Sequence, residues 1–128
     1  MKFTFPVTKE MVCARSTLPI SQKSAKIVCR ALNRKKYSDA KNIIQNLVDE
    51  KIGLGYRKGK YYTKTAKEIL KLLKSLEANA QAKNKDADNM FLYISAHKGP
   101  TLYRSRRKWR FGREMKICHV QAVLKGGK

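Results

Sequence analysis

Three helical segments and three strand segments predict an α+β fold: three helices on a small antiparallel three-stranded sheet with an extended basic β-hairpin. Apolar residues return at three- and four-residue spacing between Ala25 and Ala80, which is a helical period. From Met90 they alternate, and they alternate again from Cys118, which is the period of a strand with one buried face. Between those two alternating segments lie six cations within ten residues, from Arg104 to Arg113. A stretch so charged does not cover an apolar core, and it reads as the projecting part of a hairpin.

The 128 residues suit one domain over 1–128, with 97–118 as its arm. A chain of this length buries roughly two thirds of its unfolded surface, so it folds without a metal or disulfide staple. Thirty Lys and Arg stand against nine Asp and Glu, a formal charge of +21. Such a charge repels itself in a folded body and calls for a polyanion, and nucleic acid supplies one negative charge per about 1.7 Å of duplex. The longest apolar run, Met90 to Ile94, is five residues, against about twenty for a membrane span, so no span is expected. The N-terminus carries no secretory pattern, and Cys13, Cys29 and Cys118 are an odd number without C-x-x-C spacing. Free or buried thiols in a reducing compartment follow.

A short strand from Cys13 to Leu18 is stopped by Pro19. Ser21 is placed to cap a helix to about Asn33, with Ala25, Val28 and Leu32 on one face. Lys23, Lys26, Arg30 and Arg34 lie largely off that face, where a phosphate backbone or plain solvent would suit them equally. Ser38 is placed to cap a second helix, in which Ala40, Ile43, Ile44, Leu47 and Val48 keep helical spacing. Residues 34–37 form the joint between the two.

Gly53 and Gly55 end that pattern and open a basic loop, GLGYRKGKYY, whose Arg57, Lys58 and Lys60 are candidate RNA contacts. It is not a nucleotide phosphate loop, since Leu54 takes the place of the first glycine and Tyr61 follows Gly59-Lys60. The third helix opens at Thr65, with Glu68 completing a capping box, or at Thr63. Ala66, Ile69, Leu70, Leu73, Leu76 and Ala80 make its apolar stripe, broken by Glu77. Lys64, Lys67, Lys71 and Lys74 mark another face, solvated or turned to phosphate. After the polar turn of residues 84–89, Met90, Leu92, Ile94 and Ala96 face the core from one strand, and Cys118, Val120, Ala122 and Leu124 from the last.

The arm is the most informative stretch. If its strands pair as a hairpin, residues 97–118 give each side about ten residues, or roughly 33 Å. Arg104, Arg106, Arg107, Lys108, Arg110 and Arg113 supply the charge, and arginine grips phosphate through two parallel hydrogen bonds. Tyr103, Trp109 and Phe111 lie among them, suited to base stacking or to anchoring a cramped bend. Gly112 suits a sharp turn, and Gly99-Pro100 bends the chain into the arm. Neither His97 nor His119 has cysteines or carboxylates at metal-ligand spacing, and no nucleophile stands in a triad-like context. Asp86 and Asp88 read as turn residues rather than a magnesium site. No cofactor and no enzymatic activity are expected.

The segment YYTKTAKEILKLLKSLEANAQAKNKDADNMFLYISAHKGPTLYR (61–104), the FGR at 111–113, CHVQAVL at 118–124 and SQKSAKIVCR at 21–30 resemble one family. It is the universal twenty-two family of large-subunit ribosomal proteins, particularly its archaeal and eukaryotic form. The resemblance implies a structural constituent of the large ribosomal subunit in the cytoplasm, whose body sits near the polypeptide exit. It implies a hairpin that enters large-subunit ribosomal RNA and lines part of the tunnel. Its partners would then be that RNA, neighbouring ribosomal proteins and the nascent polypeptide, with no membrane. The positions matching the family's RNA contacts are Ser21, Lys23, His97, Lys98, Gly99, Pro100, Arg104, Arg107, Arg110 and Arg113; Arg106 and Lys108 share the arm's charge. Only Glu114, Met115 and Lys116 separate FGR from the last strand, shorter than is usual in the family, and the loop from Leu54 to Tyr62 is trimmed.

Two other classes compete. The first two helices and their short joint suit a DNA-binding helix-turn-helix, although an extended basic hairpin is surplus to that design. An RNA-processing enzyme would need a constellation around His97 that the sequence does not display.

Overall fold

Alternation from Met90 onward becomes the strand at the centre of the protein. The computed structural model describes residues 3–54 and 60–126. In chain order its elements are β1 (Val12–Leu18), α1 (Gln22–Leu32), β2 (Lys35–Lys36), α2 (Tyr37–Val48), α3 (Thr63–Ala82), β3 (Met90–Lys98) and β4 (Cys118–Gly126). The strands form one antiparallel sheet in the order β1-β4-β3-β2. Four strands, rather than three, make the sheet. The additional one, β2, is two lysines from the joint between the first helices, pairing Lys35 with Leu92 and Lys36 with Phe91. It has no apolar residue to alternate, so no period reveals it.

Met90, Leu92, Ile94 and Ala96 of β3 are buried, with half-exposed residues between them, as alternation requires. β4 departs from alternation. Gln121 and Val123, which alternate with the core-facing Val120, Ala122 and Leu124, are buried as well. The N-terminal segment lies over that face: the Thr4 backbone N–H donates to Gln121 Oε1 at 2.9 Å, and Phe5 meets the Tyr93 ring edge to face at 5.7 Å. The other face of the sheet carries the helices.

All three helices bury a stripe. α1 buries Ala25, Val28, Cys29 and Leu32. Ser21 stands at its N-cap position but makes no side-chain capping bond. α2 starts at Tyr37, one residue before the expected Ser38 cap. Tyr37 is wholly buried and its hydroxyl donates to the Leu73 carbonyl of α3 at 2.9 Å, so packing, not a cap, sets this start. α3 opens at Thr63, the alternative start; Thr65 is buried inside its first turn and no capping box forms. Glu77 interrupts the α3 stripe because it receives the Lys41 ammonium at 3.1 Å and the Tyr37 hydroxyl at 3.2 Å. Leu72, outside the expected stripe, is buried, and Leu70 is only partly so. Each fully buried leucine contributes about 1.5–3 kcal/mol of apolar transfer.

Candidate nucleic-acid interface

The arm leaves the sheet where the β3–β4 ladder ends, at the pair Lys98 and Cys118. Gly99 comes next, and its N–H donates to the Ile117 carbonyl at 3.1 Å. A Cβ on Gly99 would stand 2.9 Å from the Ile117 carbonyl carbon and oxygen, closer than real side chains come. Glycine therefore lets the two sides of the arm start this close together. Pro100 follows with no N–H to offer, and regular pairing stops. The two sides meet again in a Met115 N–H to Leu102 carbonyl bond, an isolated bridge between Tyr103 and Glu114, and an Arg104 N–H to Arg113 carbonyl bond. The arm is thus a hairpin whose two sides pair sparsely rather than as a continuous ladder. Its tip is a 3-10 turn, Lys108–Arg110, closed by Gly112 in the left-handed region at φ 72°.

The side chains on this frame face water. Arg104, Arg106, Arg107, Arg110 and Arg113 are all exposed, and none pairs with a carboxylate among the described residues. Tyr103, Trp109 and Phe111 are 63%, 66% and 61% exposed. The guanidinium of Arg113 lies 4.9 Å, and that of Arg110 5.1 Å, from the Trp109 ring centre, while Arg106 lies 5.9 Å from Phe111. Rings and guanidinium planes are held together without a core to hide them. That arrangement presents flat surfaces and positive charge to one ligand at once, as stacking on bases beside a phosphate chain requires. The Lys108 side chain lies outside the described residues.

At the arm's root, His97 Nε2 meets the Thr4 hydroxyl at 2.6 Å, and His97 sits opposite His119, whose Nδ1 meets the Thr17 hydroxyl at 2.8 Å. The pairing of His97 with the N-terminal segment carries no signal in sequence, because Thr4 belongs to no periodic pattern. Burial raises the Cys118 thiol's pKa, opposed by a backbone hydrogen bond from His97 and by the neighbouring Lys26 ammonium. The same root receives α1, since Leu18 of β1 also pairs with Cys118 and Ser21 follows within three residues. Lys23, Lys26 and Arg30 are exposed on α1, which carries no acidic residue.

The remaining candidates are spread out. Lys60 is exposed, its ammonium 5.1 Å from the Tyr62 ring centre, before α3. Arg57 and Lys58 lie outside the described residues. On α3, Lys71 is paired with Glu68 at 2.9 Å, while Lys64, Lys67 and Lys74 are exposed without a carboxylate partner among the described residues. The described acids that make ion pairs, Asp49, Glu68 and Glu77, lie on or just after α2 and α3. Charge is therefore polarised, with the arm and α1 almost free of acid.

Neither competing class gains from this geometry. The joint between α1 and α2 is pinned into the sheet as β2, and α2 packs Tyr37, Ala40, Ile44 and Leu47 inward while its one cation, Lys41, is tied to Glu77, so α2 lacks the unpaired basic face of a recognition helix. Among the described residues no group of three or more His, Cys, Asp or Glu is placed to hold a metal ion.

Residues 13–125 match the model of the family described as ribosomal protein L22p/L17e. The large ribosomal subunit protein uL22 of Archaeoglobus fulgidus is 32% identical over 104 residues, covering 68% of this chain and 67% of its own. The uL22 proteins of Sulfurisphaera tokodaii and Methanocaldococcus jannaschii are each 30% identical over 84% of this chain, covering 83% and 81% of theirs.

Proposed function

Because the chain belongs to the L22p/L17e family of ribosomal proteins, as a non-enzymatic structural constituent of the large subunit in the cytoplasmic ribosome, we propose that it binds large-subunit ribosomal RNA through its arm and the adjoining face of α1. The observation that carries this reading is the arm itself. Five arginines and three aromatic rings stand exposed, with no carboxylate to pair with the arginines among the described residues. A surface of that kind is costly in a free protein and matched by RNA, where phosphates take the guanidinium forks and bases take the rings. Ser21, Lys23, His97 and Lys98 stand on the helix and strand ends at the arm's root, and Lys26 and Arg30 continue along α1, extending the contact onto the body. Lys60, on the loop before α3, adds a further contact.

In the assembled subunit the tip around Trp109 lines part of the nascent-polypeptide tunnel, and the body touches neighbouring ribosomal proteins. Support for the tunnel reading is the arm's shape: a hairpin that leaves the body at Gly99 and carries the exposed rings of Trp109 and Phe111 at its terminal turn. The test is incorporation. The wild-type chain is expected to co-sediment with purified large subunits, and a variant with Arg104→Glu, Arg107→Glu and Arg110→Glu to stay unincorporated while its circular dichroism is unchanged. Normal incorporation of the triple variant would reject the arm's role.

A further inference from the structure

The joint between α1 and α2 holds three successive cations, Arg34, Lys35 and Lys36, all exposed. They line an open groove with Asn42 and Ile43 of α2 and Phe91 of β3, and Asp39 is the one acid beside them. From Met11 to Ser38 the chain has no acidic residue, and none of Lys23, Lys26, Arg30, Arg34, Lys35 and Lys36 pairs with a carboxylate among the described residues. Position matters as much as charge. β2 pairs with Phe91 and Leu92 near the start of β3, whereas the arm leaves from its end at Lys98. α1 connects the two ends: it begins beside Cys118 at the arm's root and ends where the Arg34 N–H bonds to the Leu92 carbonyl at 2.8 Å. Its 11 residues span about 16 Å at about 1.5 Å each.

Arg34 also sits in the left-handed region at φ 62°, where glycine or asparagine would be less strained. An arginine held there in spite of the strain keeps a cation on the lining of the groove. Resting on the reading that the arm binds ribosomal RNA, we infer that the groove at Arg34, Lys35 and Lys36 is a second, separate site for an RNA phosphate backbone. α1 is the basic track between it and the arm. Phosphates take the three cations, and the half-buried Phe91 ring forms part of the groove wall. Against a protein partner stands the composition of the rim, three cations to one acid on a two-residue edge strand too short to template a further strand.

The test compares two full-length variants with wild type on purified large-subunit ribosomal RNA. One carries Arg34→Gly, Lys35→Gln and Lys36→Gln, with glycine chosen to suit the backbone at position 34; the other carries the three arm arginines as glutamate. For the groove variant the slope of log K against log salt is expected to fall by about 2 to 3, and one block of backbone protections to vanish while the arm's block persists. An unchanged slope and footprint in the groove variant, with the arm's block lost in the arm variant, would overturn the inference and leave the arm's role standing. Unchanged RNA binding combined with failed incorporation into the subunit would also overturn it, assigning the groove to a protein. If neither variant alters RNA binding, the parent reading falls as well.

Discussion

In the body, Leu32, Leu73, Leu92 and Leu124 are fully buried, while in the arm Tyr103, Trp109 and Phe111 each keep more than half of their surface in water. The body satisfies its own groups: buried Tyr37 reaches a carbonyl and a carboxylate, and among the described residues no buried side-chain polar atom is left without a hydrogen bond. The arm satisfies little beyond a few backbone bonds across its two sides. The difference teaches which part is made to fold and which to be completed by a partner. Apolar area stabilises the one, and the other places rings and charge where only a second molecule can cover them.

Replacing residues 101–115 by Gly-Gly breaks this comparison most severely. Affinity for large-subunit RNA is expected to drop by more than about a thousandfold near physiological salt, because most phosphate contacts go with the arm. The urea midpoint of the body should stay where it was, and a parallel fall would show that the arm supports the fold. Leu73→Ala is the reverse experiment. Leu73 packs in the core from α3, so the body should lose about 2–5 kcal/mol in a urea titration, with RNA affinity of the folded fraction unaltered.

Smaller effects sharpen the contrast. Trp109→Ala should weaken RNA binding by about 1–3 kcal/mol, the usual worth of one stacked ring, with no change in melting. Burial, with Cys118 adding to it, raises the Cys29 thiol from the ordinary 9.0 to about 12. The folded state then keeps a proton that the unfolded chain releases above pH 9, so stability is full below pH 9 and declines as pH rises toward 12. Tyr37, raised by burial and then by Glu77, adds to the same decline. Cys29→Ala should flatten the alkaline decline measured by urea midpoints between pH 8 and pH 10.5. Thiol-reagent labelling of the folded protein should reach half-exposed Cys13 before buried Cys29 and Cys118.

Much of the body was readable because burial imposes period. β3 alternates cleanly since only one of its faces meets the helices, and α1 through α3 each show a stripe. Reading failed where a contact distant in sequence overrode the local pattern. Gln121 and Val123 are buried by the N-terminal segment, 117 residues from Gln121 at the Thr4 bond, and no local period encodes that cover. Tyr37 starts α2 because Leu73 waits 36 residues away, not because Ser38 is a poor cap. β2 is invisible because two edge lysines have no buried face. The arm's charge was plain in composition, whereas its sparse pairing depends on Gly99 fitting against Ile117 and on Pro100 interrupting the ladder.

Site-directed crosslinking within native large subunits tests the central claim most directly. With a photoreactive residue placed at position 106 or 109, crosslinks to large-subunit ribosomal RNA are expected, and the arm outside its tunnel-lining tip should be shielded from solvent probes. An arm that is freely accessible to those probes in the intact particle, and that crosslinks to no RNA, would contradict the account.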